Sequence, residues 1–500
     1  IKELFEEKKK WTSKKGNEFL NKKSQLQQAF SLMAAEYLAT KKNPQVVFEQ
    51  IFIEKNMRVL EFELPEVFFD KDGNYSGGFD IIFGNPPYIQ LQKKEIFSDL
   101  EKEVYKRLGE FHSYAATGDI YALFFERALK LLKPGGRLGF ITSNKYLRAG
   151  YGKSLRNYLI ENTNPYLLVN LGSGMFGATV DTSILAVEKS ENKKEFKAID
   201  LAQRAREPRE RIENMSDYIE QYQQNVSYEK DESWIILSPI ERSIKEKIEA
   251  VGTPLKDWDI KINRGILTGY NGAFIISGEK RQEILDNCQS DEEKERTAEL
   301  IRPILRGRDI KKYSYDFANL YLIYVPWHFP LQNDNSIQGA SQKAEKLFEQ
   351  EYPAVYNHLL GYKKQLSERN KAETGIRYEW YALQRWGSNY WDDFSKPKIM
   401  YSEMVQSPAF YLDNAGEFIT NDTSFIMVGE NLEYLLEMLN SDIFSFAFKR
   451  FYSGGGLGDS GFRYKKAFLE KLPIPLPPHR LVLTESEINF ISSSVKSKVD

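Results

Sequence analysis

One cysteine, Cys288, in a chain of 500 residues rules out a disulfide framework and a thiolate zinc site. Histidine is almost as scarce. His112, His328, His358 and His479 stand far apart without ligand spacing, so no metal centre is expected. No apolar run approaches the roughly 20 residues needed to span a bilayer, and no signal-peptide pattern opens the chain, so a soluble cytoplasmic protein without membrane attachment is expected. A strong charge of either sign is also missing. The formal net charge of −2 provides no bulk attraction to nucleic acid, so any such contact has to come from local basic stripes.

Hydrophobic content of 41% with 28% charged residues is that of an ordinary globular protein, and the length is too great for one core. Two or three domains follow. Aromatics are plentiful, with 29 Tyr and 32 Phe. Most of them belong to cores, although aromatic faces also suit the stacking of bases.

The most informative short segment is Asn85-Pro86-Pro87-Tyr88, directly behind the apolar run Phe79 to Gly84. A strand that ends at a glycine and turns through two prolines holds the Asn amide, the next carbonyl and an aromatic face in one rigid corner. An exocyclic amino group such as that of adenine fits such a corner. If the Asn85 side-chain oxygen and the Pro86 carbonyl accept its two protons, its lone pair is released from the ring and can attack an electrophilic methyl group, while Tyr88 stacks on the base. The same four residues can also do no more than end a buried strand.

The pattern around this corner is α/β. Residues 1 to about 50 are Lys/Glu-rich, with Leu20, Leu26, Phe30, Leu32, Met33 and Tyr37 at helical spacing, and Val59 to Phe68 reads as a strand or loop. Ile120 to Leu132 has 3.6-residue periodicity, with Asp119 placed to cap it. Lys133-Pro134-Gly135-Gly136 then ends that helix, and Arg137 to Thr142 forms the next strand. Further strands are expected at Leu167 to Leu171 and Ser183 to Val187. Parallel sheets of this kind place ligands at the carboxyl ends of their strands, where the Asn-Pro-Pro-Tyr corner would lie. The expected domains are a helical segment over 1–58, the α/β block over 59–190, a charged connector over 191–233, an α+β domain over 234–480 and a helical tail over 481–500. Lys471 to Pro478 reads as a polyproline-like strap on the surface.

In order along the chain, FDIIFGNPPYI, GDIYALFFERALKLLKPGGRLGFITSNKYL and GMFGATVDTSILAVEK resemble three successive motifs of the TaqI-like adenine-N6 DNA methyltransferases, including those of type IIG restriction-modification enzymes. Arg264 to Asn271 with Phe274, and Ile301 to Ile310, resemble the TaqI-type specificity domain. The resemblance implies a partial Rossmann-like methyltransferase sheet followed by an α+β target-recognition domain, which would methylate adenine in double-stranded DNA by base flipping. It further implies that Asn85, Pro86, Pro87 and Tyr88 bind and activate the adenine, that Phe176 stacks on its other face, and that Phe124 lies beside the methyl donor, S-adenosylmethionine. For Phe124 and Phe176, plain core packing is an equal alternative.

One departure from the family pattern is specific. Residues 1 to 84 contain no glycine-rich donor-binding loop, so the donor pocket is expected to be incomplete in this chain. A DNA-recognition module without independent catalysis is therefore the alternative. A nuclease is a possible upstream partner domain, but no cluster of two acids and a lysine marks one here. Sequence choice would belong to the second domain, where Arg302, Arg306, Arg308, Lys311 and Lys312 form a basic cluster with Tyr313 and Tyr315. Lys449, Arg450, Arg463, Lys465 and Lys466 bracket the glycine-rich loop at 454 to 461. For any one of these cations, a solvated surface role is the simpler reading.

Overall fold

The computed structural model describes residues 16–38, 44–53, 60–70, 72, 74–75, 77–107, 111–175, 180–203, 208–373, 377–454 and 461–496. The chain divides into two compact units, Ile1–Ser238 and Pro239–Asp500.

The first unit is built on a six-stranded mixed sheet. Its strands are β1 (Phe79–Gly84), β2 (Leu132–Ser143), β3 (Asn164–Gly172), β4 (Thr182–Glu188), β5 (Phe196–Asp200) and β6 (Gln224–Val226), in the spatial order β1-β2-β4-β3-β5-β6. β1 runs parallel to β2 and β3 parallel to β5, whereas β4 lies antiparallel to both β2 and β3. It follows that β1, β2, β3 and β5 all point the same way. Gly84, Ser143, Gly172 and Asp200 therefore share one end of the sheet.

Helix α1 (Gly16–Leu38) opens the described chain. It buries Ser31, Ala34 and Ala35 and leaves Leu20 and Met33 exposed, so Leu20 and Met33 of the expected apolar stripe face solvent; the side chains of Leu26, Phe30 and Tyr37 lie outside the described residues. Helix α2 (Tyr121–Leu131) packs on one face of the sheet through Tyr121, Phe125, Ala128 and Leu129. Phe125 meets Phe140 of β2 with ring centroids 5.1 Å apart. Burial of each such ring is worth about 1.5–3 kcal/mol, so this face holds the helix without help from its ends. The opposite face is covered by α3 (Met215–Tyr222), whose Met215, Tyr218, Ile219 and Tyr222 pack against Val169, Leu171 and Ile199.

Several local expectations are corrected. Val59 to Phe68 is not extended, because Leu60–Glu63 and Pro65–Phe68 are short helices, with Pro65 at a first helical turn where it needs no N–H partner. Asp119 does not cap α2. Its carboxylate accepts from the Tyr151 hydroxyl at 3.0 Å, and the helix has no side-chain cap. The Lys133-Pro134-Gly135-Gly136 run is taken into β2, where Gly135 N donates to Lys189 O and Lys189 N to Gly136 O. Residues 191–233, expected to be a connector, carry β5, β6 and α3. Phe196, Ala198 and Ile199 are buried between exposed charges, a short alternation that binds the segment to the sheet.

The second unit contains two four-stranded sheets. β7 (Ile260–Arg264), β8 (Ile275–Ser277), β9 (Ile301–Leu305), β10 (Leu320–Ile323), β11 (Lys398–Ser402), β12 (Phe410–Asp413), β13 (Ile419–Thr420) and β14 (Ser424–Gly429) form them in the orders β13-β9-β10-β8 and β12-β11-β14-β7. A large core containing Phe274, Ile304, Leu322, Phe348, Tyr381, Met400 and Ile426 joins both sheets. Within this core, Lys398 is fully buried and pairs with Asp413. The expected strap is partly internal, since Leu472, Pro473 and Ile474 are buried and Pro473-Ile474 pairs with Thr253-Pro254. The tail forms α4 (Glu485–Lys496).

Candidate active site

β1 ends at Gly84, opposite Phe140 of β2, and the Asn85-Pro86-Pro87-Tyr88 corner follows at the carboxyl end of the sheet. Pro86 is buried, Asn85 and Pro87 are exposed and Tyr88 is half-buried. The Tyr88 ring packs on the core beneath α2, edge-on to Tyr121 at 6.3 Å. Its hydroxyl donates to Asn85 Oδ1 at 2.7 Å, with a longer contact of 3.4 Å to Ile141 O. Burial raises the Tyr88 pKa, so the phenol stays a proton donor. Behind the corner, Ile120 N donates to Ile89 O at 2.9 Å and Leu91 N to Gly118 O at 2.8 Å, which pins the segment to the start of α2.

Phe124 lies on α2 between buried Leu123 and Phe125, yet its ring is 42% exposed. Phe176 lies outside the described residues, so the structure assigns it no place.

A polar chain at the same end of the sheet was not picked out from the sequence. Asn144 Nδ2 donates to Asn170 Oδ1 at 2.9 Å, and Asn170 Nδ2 donates to Asp200 Oδ1 at 2.9 Å. It links the ends of β2, β3 and β5. The available signal was an Asn or Asp at the end of each parallel strand, a position that matters only once the strand order is known.

β1 is an edge. Among the described residues no strand pairs with its outer side, and Ile81 and Phe83 are 65% and 84% exposed. Exposed Phe on a sheet strand is unusual for a finished surface. Among the described residues the corner and Phe124 are present, but no strand, glycine-rich turn and helix that would hold the donor's ribose and carboxylate precede β1.

In the second unit, the structure distributes the expected basic cluster among different tasks. Arg302 directs its guanidinium inward, to Ser395 Oγ at 3.1 Å, Gly416 O at 3.2 Å and Phe394 O at 3.4 Å. Burial lowers its pKa, although these acceptors still suit the charged form. Arg306 makes a fork to Asp309 at 2.8 and 2.9 Å. Lys311 bonds Arg308 O at 2.8 Å and lies 3.5 Å from Asp316, and Lys312 sits over the Tyr313 ring. Arg308 and Lys312 are exposed. Near the glycine-rich loop, Arg450 pairs with Glu241, Lys449 donates to Gln406 O and Lys466 to Ile262 O. Arg463 pairs across a short ladder with Met404, while Lys465 is exposed. Residues 455–460 of that loop lie outside the described residues.

Among the described residues no group of three acidic, His or Cys side chains could hold a metal ion, and no helix is long and apolar enough to cross a membrane.

A sheet of four parallel strands with β4 antiparallel between β2 and β3 and β6 antiparallel at the far edge, bearing Asn-Pro-Pro-Tyr at a strand's carboxyl end, is a Rossmann-like α/β arrangement. Residues 3–176 match the Eco57I restriction-modification methylase family and residues 302–474 match the TaqI-like C-terminal specificity domain family. The chain is 23% identical over 418 residues to the type II methyltransferase M.BstVI of Geobacillus stearothermophilus, covering 80% of this chain and 68% of that protein. It is 24% identical over 375 residues to the type II restriction enzyme and methyltransferase RM.Eco57I of Escherichia coli, covering 71% of this chain but 36% of that protein. The structure of the type IIL restriction-modification enzyme MmeI in complex with DNA aligns over 84% of this chain and 54% of its own, at 11% identity and a TM-score of 0.45. The chain thus spans about a third of RM.Eco57I and about half of MmeI.

Proposed function

We propose that this protein is the modification and specificity portion of a restriction-modification enzyme, a methyltransferase that acts on the N6 amino group of adenine in duplex DNA. The observation that carries the reading is the exposed Asn85 side-chain oxygen, held at the carboxyl end of β1 and already accepting a hydrogen bond from Tyr88. An acceptor kept in place by a buried proline on one side and a packed phenol on the other is ready for an amine N–H. The Pro86 carbonyl would take the second proton, and the Tyr88 ring would stack on the flipped base. The stack is worth roughly 1–3 kcal/mol against an unpairing cost of a few kcal/mol. S-adenosylmethionine would supply the methyl group. In this reading the part of these residues in the reaction is to bind and orient the amine.

In this reading the donor half of the sheet docks along the free edge of β1 and covers Ile81 and Phe83. A nuclease fused upstream is compatible with it. The test is transfer of labelled methyl to duplex DNA by whichever length of the protein is active. Asn85→Ala should abolish transfer while DNA binding persists, and equal transfer by the variant would remove Asn85 from the mechanism.

The bare edge of β1 favours a second reading, in which residues 1–500 alone recognise DNA without catalysing transfer. Calorimetry with S-adenosylmethionine separates the two. Micromolar binding to this chain would reject the second reading.

A further inference from the structure

We propose that two loops of the second unit, residues 264–271 and 384–391, together form a surface that reads base edges in a DNA groove, with Arg385 and Asn389 as its contact side chains. The inference rests on the reading of the second unit as a DNA-specificity domain and names where on that unit the sequence is read.

The two loops are zipped together. Leu267 N donates to Arg385 O at 3.1 Å and Arg385 N to Leu267 O at 2.9 Å, while Ile266 N donates to Thr420 O at 2.8 Å and ties the pair to β13. The Arg369 guanidinium ties the first loop to the segment that leads into the second, donating to Thr268 O at 2.6 Å, Ala382 O at 2.8 Å and Trp380 O at 3.2 Å. The Tyr324 hydroxyl holds Trp386 O. The turns need glycine. Gly269 and Gly387 have φ of +74° and +77°, and a Cβ on Gly387 would come within 2.9 Å of the Tyr390 ring. Loops this heavily tied at the backbone present their outward side chains in fixed positions, which is what discrimination between bases requires.

The outward side chains are unengaged. Arg385 is exposed, and its guanidinium has no hydrogen bond or ion pair among the described residues. Ser388 and Asn389 are exposed as well. Beside them lies Tyr390, whose hydroxyl feels the positive charge of both Arg264 and Arg385. Arg264 is held in place by Asp422 O at 2.7 Å and Glu403 at 3.8 Å, so it serves the framework. With Glu403 near Arg264 and Asp392 exposed in the next turn, the patch is not strongly basic. That disfavours a simple phosphate anchor and favours base edges. An Arg fork matches guanine O6 and N7, and an Asn amide matches adenine N6 and N7.

The test is enrichment of a randomised duplex pool by the 500-residue chain, with the bound fraction sequenced. The parent protein should enrich one motif. Arg385→Ala should lose roughly tenfold or more of the preference for guanine at one position, and Asn389→Ala the same for adenine, with unselected DNA still bound. Arg385→Lys should relax the same position, because an ammonium ion cannot make the bidentate fork. Unchanged thermal melting of Arg385→Lys shows that the loss is not misfolding. If Arg385→Ala and Arg385→Lys enrich the parent motif to the parent depth, the inference is overturned and the specificity reading survives. If the parent protein enriches no motif, the specificity reading fails and takes the inference with it.

Discussion

The Tyr88 hydroxyl donates a 2.7 Å hydrogen bond to Asn85 Oδ1, so the acceptor assigned to the incoming amine is occupied from within. For a base to bind there, its N–H has to take the second lone pair of Oδ1 or displace the phenol, while the Tyr88 ring stays close enough to stack. Tyr88→Phe keeps the ring and removes the competitor, so methyl transfer by an active form of the protein should hold within a few-fold of the parent, with an equal or lower KM for DNA. Tyr88→Ala removes the stack as well and should lower transfer by about tenfold to a hundredfold, in line with the 1–3 kcal/mol of one stacked base. Steady-state kinetics on the two variants checks this. Equal losses in both would mean that the hydroxyl, not the ring, carries the function.

The basic cluster at 302–312 divides between framework and surface, and the division is measurable. Arg302 donates to three acceptors within its own unit, so Arg302→Ala should destabilise the protein by about 2–3 kcal/mol, because those acceptors lose a charged donor in a largely buried setting. Arg308→Ala and Lys312→Ala change exposed residues and should leave melting nearly untouched. If either cation meets a phosphate, its loss should weaken binding to all duplexes alike and lower the salt-dependence slope by about one. Differential scanning calorimetry and salt titrations separate the two outcomes.

These residues also show how far the sequence alone reaches. The corner was legible because proline restricts φ wherever it stands, and α2 was legible because eleven residues carry one apolar face. Arg302 looked like its neighbours, because its partners at Phe394, Ser395 and Gly416 are about a hundred positions away. Asp119 had the right residue type for a cap, but a tertiary partner, Tyr151, took its carboxylate. The connector was misread because β5 is only five residues long, too short for a period to show among so many charges. Loops 264–271 and 384–391 are separated by more than a hundred residues, and only the fold brings Leu267 and Arg385 together.

Acid should loosen the tail of the second unit. Burial alone would raise the pKa of Glu487, but bonds from Lys247, the Thr484 N–H and hydroxyl, and Ser243 outweigh it and hold the carboxyl down at about 2. A carboxyl depressed in the folded state contributes stability that is fully present above its unfolded value near 4.5 and is lost as pH falls toward about 2. Glu487→Gln should therefore remove part of the parent's stability at pH 7 and make its melting temperature less sensitive to pH between about 4.5 and 2. A parallel pH dependence in parent and variant would show that α4 is held by other contacts, such as that of Phe490 with Phe446.

The exposed edge of β1 leads to the sharpest contrast between this chain and a longer protein. Phe83 is 84% exposed, so in residues 1–500 its replacement by Ser removes almost no buried surface and should change stability by less than about 0.5 kcal/mol. It should also reduce self-association, since a bare apolar strand edge is a template for pairing. If the donor half of the sheet docks along β1, the same substitution in a longer, active protein opens a hole where a ring was packed. There it should cost about 3 kcal/mol or more, as large-to-small changes in cores do, and should weaken S-adenosylmethionine binding along with it. Melting curves and donor titrations on both lengths decide the matter. A Phe83→Ser variant that is silent in both would mean that the outer face of β1 stays in solvent, and that the donor pocket is completed elsewhere.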